Sequence, residues 1–273
     1  MKFSVYQESR VGPRRDNQDR LAYRYSSDAL LLVVADGMGG YAHGELAAQV
    51  AVDHLVDAFE HRARPRLDEP FSFLAECFNG AHAAIGRVAA HRGLDAVPRT
   101  TLVACVAQDG IAYWAHAGDS RLYLLREGRI HACTQDHSRV QLLLRQGLID
   151  DDEARQHPQR NRVFSCLGGA VEPQIEFSRK VPLYDQDVLA LCSDGVWGPL
   201  GDDRLAQALA AARPGDAVPA LLDEAERIAG RGGDNLSLLA LRWEEGLAGE
   251  SPSDEELERA IDQIRGIIRP SQK

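Results

Sequence analysis

Four aspartates stand at the ends of apolar, strand-like runs, each beside glycine or another small turn residue. Asp36 follows Leu30–Ala35 and precedes Gly37; Asp119 follows Ala115–Gly118 and precedes Ser120; Asp194 follows Val188–Ser193 and precedes Gly195; Asp234 lies between Gly232-Gly233 and Asn235. An Asp-Gly pair alone marks no more than a turn. Asp36, Asp119 and Asp194, however, adjoin runs too apolar for a surface turn, and their wide separation in sequence requires tertiary assembly. Carboxylates gathered at one edge of a sheet repel one another strongly unless a cation lies between them. Ligation by carboxylates, a backbone carbonyl and waters suits Mg²⁺ or Mn²⁺ rather than zinc. The nine histidines lack H-E-x-x-H or comparable spacing, so His116 and His137 read as structural or hydrogen-bonding residues.

A second polar cluster lies upstream, in Arg14-Arg15-Asp16-Asn17-Gln18-Asp19. Arg14 can offer a bidentate fork to a phosphate oxygen while Asp19 addresses metal-bound water; a merely solvated hairpin loop is the alternative this segment leaves open by itself. Two other chemistries that these residues could suggest fit poorly. Cys133 and Arg139 have C-x5-R spacing, but the residues between them include no glycine, and Asp136 would raise the thiol pKa. An aspartyl-phosphate mechanism needs a second acid two residues after the nucleophile, whereas Asp36 is followed by Gly37 and Met38.

The elements that must position these residues are short. Strand-type runs occur at 3–7, 20–25, 30–35, 101–107, 111–117, 121–126, 129–133, 174–181, 187–192 and 236–243. Asp109-Gly110 and Glu127-Gly128 are tight-turn signals, and connections this short make the joined strands antiparallel. Helical periodicity predicts helices over about 44–60, 71–92, 203–212 and 216–230. Helices grouped between blocks of antiparallel strands imply an α+β sandwich, two sheets packed together with helices outside. Residues 134–169 read as a flap over one end of the sheets, with a helical pattern at Val140–Arg145. Residues 1–243 form the expected catalytic unit, and 244–273 a linker followed by an amphipathic helix with a Ser253/Glu256 capping box and a Leu257, Ile261, Ile264, Ile268 stripe.

Composition narrows the setting. The chain has 273 residues, 44% of them hydrophobic, enough for one sizeable core. Acidic residues outnumber basic ones by 41 to 31, a formal charge of −10, which argues against nucleic acid and anionic membranes as partners. Five scattered cysteines without a C-x-x-C pair argue against a disulfide framework and for a reducing compartment. With no signal-like N-terminus and no apolar run near the roughly 20 residues of a membrane span, a cytoplasmic protein is expected. A monomer is expected.

In order along the chain, Arg14-x-x-Asn17-Gln18-Asp19, Val34-Ala35-Asp36-Gly37-Met38-Gly39-Gly40, Thr100-Thr101-Leu102, Ala117-Gly118-Asp119-Ser120-Arg121, Thr134-x-Asp136-His137-Ser138, Cys192-Ser193-Asp194-Gly195 and Gly233-Asp234-Asn235 resemble the motifs of the metal-dependent protein phosphatase 2C (PPM) family, in its bacterial serine/threonine branch. The resemblance spans roughly residues 4 to 242. It implies a four-layer α-β-β-α sandwich of two mostly antiparallel sheets flanked by helices. It also implies two Mn²⁺ or Mg²⁺ ions, with a third position described in bacterial members. Carried onto this chain, Asp36 bridges the two ions, Gly37 offers its carbonyl to one, and Asp194 with Asp234 holds the other. Asp19 acts through metal-bound water, Asp119 with Asp194 matches the third position, and Arg14 matches the phosphate-binding arginine. The implied activity is hydrolysis of phosphoserine and phosphothreonine in proteins by a hydroxide bridging two cations. The implied partners are phosphorylated proteins and a bacterial Ser/Thr kinase whose action is opposed. A catalytically silent phosphoprotein-binding module on the same fold is the alternative, and it predicts loss of a metal ligand. Met38 departs from family members with histidine there and cannot donate a proton to the leaving group; Gln18 stands in place of a frequent glutamate.

Overall fold

A computed structural model describes residues 1–38, 43–150, 153–154, 157–159 and 162–244. Gly39, Gly40 and the C-terminal linker and helix expected at 244–273 lie outside the described residues, apart from Glu244. Thirteen strands are described: β1 (Phe3–Arg10), β2 (Asp19–Tyr25), β3 (Ala29–Asp36), β4 (Arg99–Thr100), β5 (Leu102–Gln108), β6 (Ile111–Ala117), β7 (Arg121–Arg126), β8 (Arg129–Cys133), β9 (Leu167–Gly168), β10 (Glu176–Phe177), β11 (Val181–Pro182), β12 (Val188–Cys192) and β13 (Leu236–Trp243). The described helices are α1 (Gly44–Arg62), α2 (Pro70–His91), α3 (Arg139–Arg145), α4 (Asp194–Leu200), α5 (Asp202–Ala211) and α6 (Pro214–Ala229). One large sheet has the order β1-β13-β12-β7-β8 and a second β10-β6-β5-β3-β2, with β11 also on β6, while β4 and β9 pair in a small two-stranded sheet; the pairings are antiparallel.

The two-residue alternation of β3 builds the layers. Leu30, Leu32 and Val34 point into the core between the sheets, against Leu122, Leu189, Leu239 and Leu241. Leu31, Val33 and Ala35 point the other way, under α1 and α2. Tyr123, Ala190, Cys192 and Leu238 do the same from the opposite sheet toward α4, α5 and α6. Central strands covered on both faces need apolar residues at every position, which is why they read as unbroken runs. Each fully buried leucine or valine contributes about 1.5–3 kcal/mol, so this double burial anchors the strand ends where the aspartates sit. The expected α-β-β-α sandwich is present.

Both hairpin signals act as expected. Asp109 and Gly110, and Glu127 and Gly128, all have positive φ, the backbone twist that two-residue hairpins favour. Pro70 and Pro214 open α2 and α6, where a missing backbone N–H costs nothing. Ser138 caps α3 by accepting the Gln141 N–H at 3.2 Å. The strand expected at 174–181 is different: two short pieces, β10 and β11, pair with β6 in registers one residue apart. The extra residue makes a bulge at which the Ser178 hydroxyl accepts the Trp114 N–H, and Pro182 is tolerated because this strand lies at an edge. Among the described residues no helix is long and apolar enough to cross a membrane.

Candidate active site

Asp19 and Asp36 face each other across β2 and β3, in direct register. On the other sheet, β12 ends at Cys192 opposite Leu238 of β13, so the segments just past the paired ends, at Asp194 and at Asp234, lie side by side. Sequence reading treats Asp194 as a strand end; it opens α4 instead. That helix lacked a local signal because Gly195, Gly198 and Pro199 are poor helix formers. Asp234 precedes its strand rather than ending one. Glycine is required at two points of this junction. A Cβ on Gly195 would sit 2.0 Å from the Asn235 carbonyl, and one on Gly37 would sit 2.4 Å from the Gly44 backbone.

The backbone around Asp36 is clamped. Its N–H donates to Thr101 Oγ1 at 3.1 Å, its carbonyl accepts the Thr101 N–H at 2.8 Å and the Thr100 hydroxyl at 2.9 Å, and Thr101 Oγ1 is 2.7 Å from Ser120 Oγ. One threonine hydroxyl thus links the Asp36 backbone to the residue beside Asp119. On the other side of that aspartate, the Asp119 carbonyl accepts the Trp197 indole N–H at 3.0 Å, and Trp197 lies under the Arg121 guanidinium at 3.6 Å. Asp19 Oδ2 accepts the Ser193 hydroxyl at 2.7 Å. Sequence reading included Thr101 and Ser193 in motifs without giving them a task. A hydroxyl's partner depends on which strands meet, which no local pattern reports.

A polar cleft of about 650 Å³ opens here, walled by Asp36, Gly37, Asp119, Asp194, Asp234 and Arg14. Asp19 lies beneath it, 2% exposed. Two carboxylate oxygens, Asp19 Oδ1 and Asp194 Oδ1, are buried with no hydrogen-bond partner. Burial pushes Asp19 up to about 6, against the Ser193 hydrogen bond that holds it down, with Asp234 repulsion adding to the rise. Burial, then repulsion from Asp234 and Asp19, raises Asp194 to about 7. Asp36 is held well above the carboxylate range by burial and by the charges of Asp19, Asp194, Asp119 and Asp234. Asp119 is raised likewise, by burial and then by Asp194 and Asp136. Orphaned buried oxygens among mutually repelling carboxylates are an environment that a hard cation relieves, and the donor set is oxygen alone. The residues fit divalent metal.

Arg14 reaches the Gly233-Asp234 side of the site. Its Nη2 donates to Asp234 Oδ2 at 2.8 Å and its Nε to the Gly233 carbonyl at 3.2 Å, with the side chain 53% exposed in the cleft. Asn235 holds the Arg14–Asp19 segment in place, donating to the Val11 and Asp16 carbonyls while its Oδ1 accepts the Gln18 N–H. The cysteine alternative fails on geometry and charge: the Cys133 thiol donates to the Thr134 carbonyl, and burial raises it to about 12. His116 and His137 stack at 4.5 Å, and with Glu176 they offer ligand atoms within 4.8 Å of one another. Three of their four nitrogens are already engaged: His116 Nε2 with the Gln135 carbonyl, His137 Nδ1 accepting from the Gly118 N–H, and His137 Nε2 facing Glu176. Burial pushes both imidazoles down, so they serve as neutral struts beside Gly118-Asp119.

This geometry agrees with what the chain is similar to. The family model described as Protein phosphatase 2C matches residues 8–226. The protein phosphatase PhpP of Streptococcus pneumoniae is 34% identical over 191 residues, 68% of this chain and 76% of that protein. The crystal structure of serine/threonine phosphatase Stp1 from Staphylococcus aureus superposes with a TM-score of 0.81 at 25% identity, over 90% of this chain and 96% of that one. The catalytic domain of serine/threonine protein phosphatase PstP, solved in complex with two manganese ions, superposes with a TM-score of 0.71 at 29% identity, over 89% and 99% of the two chains. With its carboxylate cleft between two sheets and a family match over most of its length, the chain belongs to the bacterial serine/threonine phosphatase branch of the protein phosphatase 2C family.

Proposed function

We propose that the chain hydrolyses phosphoserine and phosphothreonine in proteins with two divalent cations, Mn²⁺ or Mg²⁺, and opposes a bacterial Ser/Thr kinase. One observation carries this reading: four carboxylates and the buried Asp19 converge on one cleft, with two of their oxygens unpartnered. The two manganese ions of the PstP catalytic domain support it. Asp36, the Gly37 carbonyl, Asp194 and Asp234 would hold the pair, Asp19 would reach it through an intervening water, and Asp119 with Asp194 would provide a weaker third position. Residues 1–243 are the catalytic unit, with 134–169 as its flap.

When bound, such a pair neutralises the phosphate charge and lowers the pKa of a water to make the nucleophile. The chain itself contributes the rest. Arg14 brings a cationic fork to the phosphate oxygens at the mouth of the cleft. The Thr100-Thr101 clamp fixes the Asp36 backbone, so that its carboxylate is oriented before substrate arrives. A catalytically silent binding module would have lost one of the carboxylates, and each is in place at the cleft.

The test is hydrolysis of an aryl phosphate and a phosphothreonine peptide with Mn²⁺ and with EDTA. Turnover of both with Mn²⁺ and none with EDTA is expected; turnover that survives chelation would refute the metal-dependent reading. Arg14→Ala should lower kcat/KM for the peptide by about tenfold to hundredfold, the worth of a charge-assisted contact of about 1.5–3 kcal/mol. Mn²⁺ affinity measured by calorimetry should stay within a few fold, and an unchanged kcat/KM would remove the phosphate-binding role.

A further inference from the structure

Beside the phosphate cleft lies a second concavity of about 480 Å³, floored by Leu142, Leu143, Val163 and Phe164, with Arg139 and Arg162 at its edge. Arg162 and Val163 line both, so groove and cleft adjoin across these two residues. Its apolar surface faces solvent: Leu142 is 42% exposed and Phe164 46%. These two side chains offer apolar contact area to a chain lying in the groove.

The groove has built walls. Ser138 and Val163 form an antiparallel bridge, the Arg139 N–H donates to the Arg162 carbonyl at 3.0 Å, and the Phe164 N–H donates to the His137 carbonyl at 2.8 Å. The Phe164 ring stacks on buried His137 at 5.5 Å. His137 is in turn tied to the backbone beside Asp119, its N–H donating to the Gly118 carbonyl at 2.9 Å. The apolar floor is therefore held at a set position relative to the carboxylates. The two exposed arginines place positive charge at the groove edge in a chain of net charge −10, which suits an anionic phosphorylated segment.

We propose that this groove receives an apolar side chain of the substrate polypeptide, close in sequence to the phosphorylated residue, and thereby selects among phosphoproteins. The inference rests on the phosphatase reading above. It follows from adjacency to the cleft: a polypeptide with its phosphate among the carboxylates and Arg14 that crosses the Arg162–Val163 boundary meets an apolar floor.

The test uses the full chain with Mn²⁺ and phosphothreonine peptides that carry alanine at every flanking position, with leucine then placed at each position in turn. Leucine at one or two flanking positions should raise kcat/KM about tenfold, the scale on which an apolar pocket discriminates side chains. Leu142→Asp should erase that gain and Leu142→Ile should retain it, with aryl phosphate turnover the same in both. Leu142→Ala, which only removes contact area, carries the same test should the charged variant lower aryl phosphate turnover. A flat profile across positions, or a leucine preference that survives Leu142→Asp or Leu142→Ala, would overturn the groove while leaving phosphatase activity intact. Hydrolysis of no phosphopeptide at all by the unaltered chain would overturn both.

Discussion

Asp36→Asn is expected to reduce kcat/KM on a phosphothreonine peptide by on the order of 10³-fold, with the fold retained. Asparagine preserves the size of the side chain, and the strand geometry does not depend on the charge. The Asp36 backbone is held by Thr100 and Thr101, and Ala35 beneath it is fully buried. What disappears is the negative charge at the point where Asp19, Asp119, Asp194 and Asp234 all act on one carboxylate. Four neighbours raising a single group marks it as the centre of the cluster, and a cation that relieves the cluster depends most on that centre. Asp194→Asn should act in the same direction, because its Oδ1 is buried without a partner. The measurement is steady-state kinetics with saturating Mn²⁺, alongside circular dichroism to check folding. Activity within tenfold of the unaltered chain for either variant would rule out the assigned carboxylate set.

The second large effect is on stability. Saturating Mn²⁺ should raise Tm by about 10 °C or more at pH 8, since two sites filled at a hundred times their Kd contribute about 5 kcal/mol to a chain of this size. Binding relieves a repulsion that the folded state alone imposes, because the five aspartates are scattered over more than 200 residues and meet only on folding. The sign with pH follows from the raised carboxyls. A group whose folded pKa exceeds its unfolded value, about 3.9 for aspartate, lends stability that is complete below that value and is lost as pH rises through the folded pKa. Here the window runs up to about 6 for Asp19 and about 7 for Asp194. Without metal most of the share due to Asp19 and Asp194 is lost near pH 8, and there Mn²⁺ has most to restore; near pH 5 protons already neutralise part of the cluster and compete with the ion. The Mn²⁺-induced rise in Tm should therefore be larger at pH 8 than at pH 5. A rise that is equal at both, or absent at pH 8, would contradict the cluster as a cation site.

Much of the architecture is legible in residues a few positions apart. The apolar run Leu30–Ala35 and the Asp109-Gly110 and Glu127-Gly128 turns reflect local preferences, and each appears where its residues indicate. The exceptions are equally physical. α4 forms despite Gly195, Gly198 and Pro199 because Val196 and Trp197 gain burial against neighbouring elements, an energy that helix propensity does not contain. The segment 174–181 breaks into β10 and β11 because one extra residue must be absorbed against β6, and strand propensity says nothing of a partner's register.

By itself, the sequence determined the main strands and both hairpins, the apolar runs that force two sheets between helical layers, and the identity of the acidic residues of the cleft. Only the tertiary structure decided how those residues meet. It set Asp19 opposite Asp36, joined Asp19 to Ser193 across 174 residues of chain, ran Asp36 through Thr101 to Ser120, and left two carboxylate oxygens buried without partners. It also set the apolar floor of Leu142 and Phe164 next to the carboxylate cleft. The reason is range. Propensity and periodicity act between near neighbours, whereas repulsion, desolvation and shared hydrogen bonds arise only after packing has brought distant strand ends within a few ångströms.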